Sequence, residues 1–132
     1  MDMHIPDKVV TPSFDGVLAP RPHVLIVEDE MVVAMLIEDM VVELGYDVSG
    51  VATHVPDAIA LVERDSFDLA ILDVNLNGQE VFPLADILEG RGIPFMFATA
   101  YGQRGIPEKY RACPVVQKPF SSLDLRKALQ GL

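Results

Sequence analysis

Apolar residues in this chain follow two patterns. In the first they run unbroken for a few positions, as in VLIV (24–27), DLAILD (68–73), PFMFATA (94–100) and PVVQK (114–118). Such short runs, bounded by turn residues, read as strands covered on both faces. YDVSGVA (46–52) is a weaker strand of the same series. In the second pattern apolar residues recur at steps of three and four. MVVAMLIEDMVVEL (31–44) puts Val33, Leu36, Ile37, Met40, Val41 and Leu44 on one stripe of a helix that Gly45 ends. A second helix, about Pro56 to Arg64, offers Ile59 and Val62 to the core, and a third, running to Gly90, offers Val81, Leu84 and Leu88. LNG (76–78) is a turn signal. YGQRGIPEKYRAC (101–113), with two glycines and an internal proline, predicts a helix that is short or loosely held. After it, Ser121 and Asp124 stand in the capping-box arrangement ahead of a last helix with Leu125 and Leu129 inward.

Strands that alternate with helices and are apolar on both faces imply an α/β fold with helices on two sides of a parallel sheet. Five such units predict a doubly wound five-stranded parallel sheet, flavodoxin-like, with strand order 2-1-3-4-5. In such sheets the binding crevice lies beyond the carboxyl ends of the strands, where the winding reverses. Residues 1–22, with Pro6, Pro12, Pro20 and Pro22, read as an irregular N-terminal arm, and 23–132 as one domain.

Composition narrows the function. With 20 acidic against 10 basic residues the formal charge is -10, which opposes non-specific binding to nucleic acid or to an anionic membrane. Cys113 is the one cysteine, so no internal disulfide forms and a reducing, cytoplasmic setting is expected. The first residues lack the charged and apolar regions of a secretion signal, and no apolar run reaches the roughly 18 residues of a membrane span.

Four of the five expected strands end in polar chemistry. Glu28 and Asp29 follow the first, Asp73 closes the third, Thr99 closes the fourth and Lys118 closes the fifth. Taken singly these are ordinary: Glu30 suits a helix start, Asp73 a loop cap, Thr99 a structural hydroxyl and Lys118 a solvated charge. Together they would meet at one edge. Carboxylates placed side by side resist ionisation unless a cation intervenes. The donors are all oxygen, which fits Mg²⁺ or Mn²⁺ rather than zinc. Asp73, fixed on a strand end, is best placed to become an aspartyl phosphate, with Lys118 and Thr99 able to meet phosphoryl oxygens. His4, His23 and His54 show no metal-ligand spacing, although His54 can begin the second helix, and GQRG (102–105) is too short for a phosphate loop.

The ordered set VEDE, LD, AT and KPF resembles, from about residue 23 onward, the receiver domain of bacterial two-component response regulators. FATAYG is similar to a subgroup of stand-alone receivers from alphaproteobacteria whose segment reads Phe-Ala-Thr-Gly-Tyr, with Ala100 at the glycine. The resemblance implies that Asp73 is the phosphoacceptor and that Asp29 binds Mg²⁺ directly. It gives Glu28 a role largely through water and makes the Asn75 carbonyl a further ligand. Thr99 would be the switch hydroxyl, Lys118 its partner at the phosphoryl group, and the Lys118–Pro119 bond cis. Ala100 would leave room for entry, while Asn75 and Tyr101 would tune hydrolysis. Receivers often carry a switch aromatic three residues before the lysine, where this chain has Val115. Tyr101, or ordering of segment 102–111, would then have to carry the signal.

The expected function is a phosphoacceptor switch. It is loaded by a sensor histidine kinase or a histidine phosphotransfer protein and signals to a target protein by contact, since no length remains after Leu132 for an output module. A phosphorelay intermediate or phosphate sink is the nearest alternative. A small Mg-dependent phosphatase with an aspartate nucleophile is the rival of another class, disfavoured by Asn75 at the usual second acid and by the lack of length for a cap. Catalysis is expected only as self-phosphorylation and slow autodephosphorylation.

Overall fold

The computed structural model describes residues 20–132; most of the expected arm, with His4, Pro6 and Pro12, lies outside the described residues. Five strands form the main sheet: β1 His23–Val27, β2 Asp47–Ala52, β3 Leu69–Asp73, β4 Phe95–Thr99 and β5 Val115–Gln117. Their spatial order is β2-β1-β3-β4-β5, all parallel, which is the order expected from the alternation. Four helices cover them: α1 Met31–Glu43, α2 Val55–Arg64, α3 Phe82–Gly90 and α4 Ser122–Gln130. None of the helices among the described residues is long and apolar enough to cross a membrane.

Because strand side chains alternate between faces, each central strand feeds two cores. Leu25, Val27, Leu72, Phe95 and Phe97 point to the layer of α2 and α3, with Val62, Leu84 and Leu88. Val24, Ile26, Ile71, Met96 and Ala98 point to the layer of α1 and α4, with Ala34, Ile37, Val41, Leu125 and Leu129. The weak strand β2 tolerates Gly50 because the Phe67 ring lies 3.1 Å from where a Cβ would stand. The capping box at Ser121 forms as expected, with the Asp124 N–H donating to Ser121 Oγ at 3.1 Å and the Ser121 N–H donating to Asp124 at 3.0 Å.

One local expectation needs correction, and two others take a definite form. Leu36 is 53% exposed and not in the core, because α1 is apolar nearly all round and its buried stripe is Ala34, Ile37 and Val41. Periodicity cannot choose a face where most faces are apolar. Between β4 and β5 there is only one turn of 3-10 helix, Glu108–Tyr110. Gly102 and Gly105 have φ of 61° and 83°, and Pro107 lacks the N–H that a longer helix would use. Tyr110, 1% exposed, fills the space against Phe82, Phe95 and Phe97. The LNG signal, finally, is the tip of a small hairpin, Asn75–Leu76 paired with Gln79–Glu80.

The two neighbouring leucine-like positions of α1 should therefore behave oppositely. Ile37→Ala is expected to lower the free energy of urea unfolding by about 2–5 kcal/mol. Leu36→Ala should stay within about 0.5 kcal/mol. Equal losses would mean that α1 faces the sheet differently.

Candidate functional site

Strand register delivers the polar residues to one place. Val27 of β1 lies level with Leu72 of β3, so Glu28 comes level with Asp73. Asp73 is level with Ala98, which leaves Thr99 one step higher, and Thr99 is level with Gln117, which leaves Lys118 one step beyond. The Lys118 N–H donates to the Thr99 carbonyl at 2.8 Å and so fixes the backbone from which the lysine reaches inward. Its Nζ donates to Glu28 Oε1 at 2.7 Å and to Asp73 Oδ2 at 3.2 Å. One carboxylate oxygen from each of Glu28, Asp29 and Asp73 lies within 4.8 Å of the others.

Backbone donors hold these carboxylates in place. The Glu30 N–H donates to Glu28 Oε2 at 3.2 Å, the Asn75 N–H to Asp73 Oδ1 at 3.3 Å, and the Asn77 N–H to Asp29 Oδ2 at 3.0 Å. The last bond was not foreseen from the sequence. An Asn-Gly pair between two short polar segments does signal a hairpin, and that signal could have placed it.

Burial sets the electrostatics. Glu28 is 1% exposed, and desolvation pushes its carboxyl up to about 7 despite the opposing Lys118 hydrogen bond. Burial likewise raises Asp73, against the attraction of Lys118. For Asp29 burial is the largest single influence and opposes the charge, but hydrogen bonds with Glu28, the Asn77 N–H and Asp73 together hold it below the ordinary carboxylate range. Burial works against charge on Lys118 too, yet the bond to Glu28 and the field of Asp73 raise its pKa. Three carboxylates thus share one ammonium group. A hard divalent cation bound by oxygen is the group this donor set fits.

The remaining expected residues sit around the cluster. Thr99, 2% exposed, accepts at Oγ1 from the Tyr101 N–H at 3.1 Å and makes no bond to the carboxylates. Tyr101 is 60% exposed on the rim, and Ala100 is exposed beside it. The Asn75 side chain folds back to accept from the Gly78 N–H at 2.9 Å, so only its backbone is available to the site. Lys118–Pro119 is a cis peptide. His23 and His54 lie outside the cluster, and His54 precedes α2 without a capping bond from its side chain.

Comparison with known proteins agrees with this geometry. The family model described as the response regulator receiver domain matches residues 24–130. The chain is 34% identical over 123 residues to the transcriptional regulatory protein PdtaR of Mycobacterium tuberculosis, covering 90% of this chain and 60% of that protein. It therefore spans about 60% of the length of the curated relative. Among solved structures, SdrG of Sphingomonas melonis is 41% identical with a TM-score of 0.77, over 84% of this chain and 95% of that one. The PhyR receiver domain of Erythrobacter litoralis is 31% identical with a TM-score of 0.75, over 84% and 89%.

The raised carboxyl of Glu28 predicts an unusual pH dependence. A carboxyl whose pKa rises on folding binds its proton more tightly in the folded state, so stability falls as pH climbs from its ordinary 4.5 to about 7. Asp73 acts in the same sense, while Asp29 acts oppositely at lower pH. In metal-free buffer the urea midpoint is expected to decline from about pH 5 to about pH 7, and Glu28→Gln to flatten that decline. A midpoint that rises over this range in both proteins would contradict the assignment.

Proposed function

This chain belongs to the response regulator receiver domain family, and we propose that it is a phosphoacceptor switch in which Asp73 takes a phosphoryl group from a phosphohistidine. The carrying observation is that Lys118 Nζ lies between Glu28 and Asp73, with a carboxylate oxygen of Asp29 within 4.8 Å of one from each. In the transfer an Asp73 carboxylate oxygen attacks phosphorus in line, the new O–P bond forms, and the P–N bond to the donor imidazole breaks. The imidazole leaves with the electron pair of that bond and takes up a proton from solvent. The Asn75 N–H orients the Asp73 carboxylate through its other oxygen. Lys118 neutralises the charge on the phosphoryl oxygens from where it already stands.

Asp29, Asp73 and the Asn75 carbonyl would hold a divalent ion, Mg²⁺ or Mn²⁺, with Glu28 acting through water. When bound, that ion supplies charge neutralisation of the transferring group. Release of the phosphoryl group is slow autodephosphorylation by water, with Tyr101 and Ala100 at the rim setting its approach.

Signalling then follows from Thr99. In the present state its hydroxyl accepts the Tyr101 N–H. Turning that hydroxyl toward a phosphoryl group withdraws the acceptor, so Tyr101 and the turn through Gly105 must find another arrangement. This gives the exposed Tyr101 and the segment after it a part in output without an aromatic residue at Val115. Similarity to SdrG and PhyR, together with FATAYG, supports placing the chain with the Phe-Ala-Thr-Gly-Tyr subgroup. Output is by contact with a target protein, or onward transfer in a phosphorelay.

The phosphodonor has a surface beside the site. Directly after Asp29 and Glu30, α1 exposes Met31, Val32, Met35 and Leu36, an apolar patch at the mouth of the cluster. A sensor kinase or histidine phosphotransfer protein seated there would bring its histidine to Asp73.

Two outcomes test this reading. Asp73→Asn should abolish Mg²⁺-dependent labelling by acetyl phosphate, read by mass or by phosphate-affinity gel; equal labelling would move the acceptor elsewhere. Val32→Glu should slow transfer from the cognate kinase at least about tenfold, some 1.4 kcal/mol of binding, while acetyl phosphate labelling is unchanged. Unaltered kinase transfer would remove α1 from the docking face.

A further inference from the structure

Beyond Asn75 the hairpin after Asp73 has no role in the switch as described, yet its backbone reaches two members of the acidic cluster, Asp73 and Asp29. The Val81 N–H donates to the Val74 carbonyl at 3.1 Å and closes the base, and Asn75 pairs with Glu80, and Leu76 with Gln79. Leu76 is fully buried and anchors the hairpin to the core of α2 and α3. At the tip Asn77 and Gly78 have φ of 52° and 83°, left-handed at both central residues, as the tightest hairpin turn requires. The N–H groups of Asn75 and Asn77 donate to Asp73 Oδ1 and Asp29 Oδ2 respectively.

We propose that the Asn77–Gly78 turn is a positioning element of the ion site, holding the Asp29 carboxylate in its ligating orientation through the Asn77 N–H; this rests on reading Asp29 as an ion ligand. Asp29 follows β1 on a connection, and nothing in its own loop spans the cluster as this bond does across 48 positions of sequence. A carboxylate fixed by one N–H presents its remaining lone pairs in a set direction, which lowers the ordering an ion must impose on binding. Outer-sphere partners of this kind typically change metal affinity by about 10–100-fold. The bond depends on backbone conformation, not on the Asn77 side chain. Only residues that accept left-handed φ keep the N–H aimed at Asp29.

That dependence separates the turn's role from general stability. A Cβ at Gly78 would meet nothing within 4 Å, so substitutions there act through φ alone and not through collision. The Asn77→Val, Gly78→Val double variant, with two β-branched residues, cannot hold the turn. Asn77→Gly can. Mg²⁺ titrations followed by amide NMR are expected to show a dissociation constant raised at least about tenfold in the double variant and close to wild type in Asn77→Gly. Without metal, the Asn77 amide should be protected from hydrogen exchange in the wild type and lose that protection in Asp29→Ala. Gly78→Ala gives a smaller loss of affinity and serves if the double variant does not fold. Wild-type Mg²⁺ affinity in the broken-turn variants, or an Asn77 amide that exchanges equally fast with and without Asp29, would overturn the proposal. If the wild type itself binds no Mg²⁺ while Asn77 is protected by Asp29, the tether exists but the reading of the ion site fails, and the positioning role falls with it.

Discussion

One constraint organises the crest of the sheet: two acidic side chains, Glu28 and Asp73, are almost wholly removed from water beside each other, and one ammonium group lies between them. Isolated carboxylates in that position would protonate rather than stay charged. Lys118 prevents this in part. It holds one carboxylate on each side of a single Nζ, which is a compromise between two attractions and leaves a third carboxylate, Asp29, near enough to add to the charge. Counted at full ionisation, three negative groups against one positive leave two negative charges, the complement of a divalent ion. The partial protonation of Glu28 near neutral pH is how the protein relieves the excess when no ion is present. A divalent ion taken up here would therefore displace a proton.

The arrangement is affordable because the sheet beneath it is rigid. Four parallel strands run out at the same edge, and level pairing of β1 with β3, followed by offsets of one residue from β3 to β4 and from β4 to β5, sets heights that side chains alone could not set. Glu28 belongs to this scheme as much as Asp73 does: its own N–H continues the β1–β2 ladder by donating to the Ala52 carbonyl at 3.0 Å. Residues on loops are treated differently. Asp29 is the least buried of the three acids, and its orientation comes from the hairpin across the site rather than from a strand.

What the sequence revealed and concealed follows the same division. Unbroken apolar runs ending in Glu28, Asp73, Thr99 and Lys118 were legible because a buried parallel strand has no polar residues to spare, so a polar residue at its end is conspicuous. The capping box at Ser121 was legible because its two bonds are local. Leu36 misled because α1 carries apolar side chains toward solvent as well as toward the sheet. The pairing of Lys118 with Glu28 spans 90 positions and depends on β1 and β5 lying on either side of two other strands. No short-range pattern contains it. The Asn77 tether was hidden for a related reason, since LNG announces a turn but not what the turn faces.

The segment between β4 and β5 shows how a fold can keep its crossover while giving up a helix. A parallel connection needs cover for the sheet face it crosses, and cover usually means an amphipathic helix. Here Tyr110 supplies it from one turn of 3-10 helix, its ring edge-on to Phe95 and Phe97 at 5.6 and 6.0 Å and stacked on Phe82 at 6.1 Å. Its hydroxyl donates to Asp86 of α3, which Lys109 also binds at 2.9 Å, so the turn is fastened at its far end. Phe97 stands two residues before Thr99 on β4 and opposite Val115 on β5. With valine there, the crossover and not β5 supplies the aromatic ring that packs on Phe97. Any rearrangement that begins at Thr99 and Tyr101 meets a segment that is exposed from Gln103 to Gly105 but pinned at Tyr110. The glycine-rich stretch is therefore where conformational change is least opposed by packing.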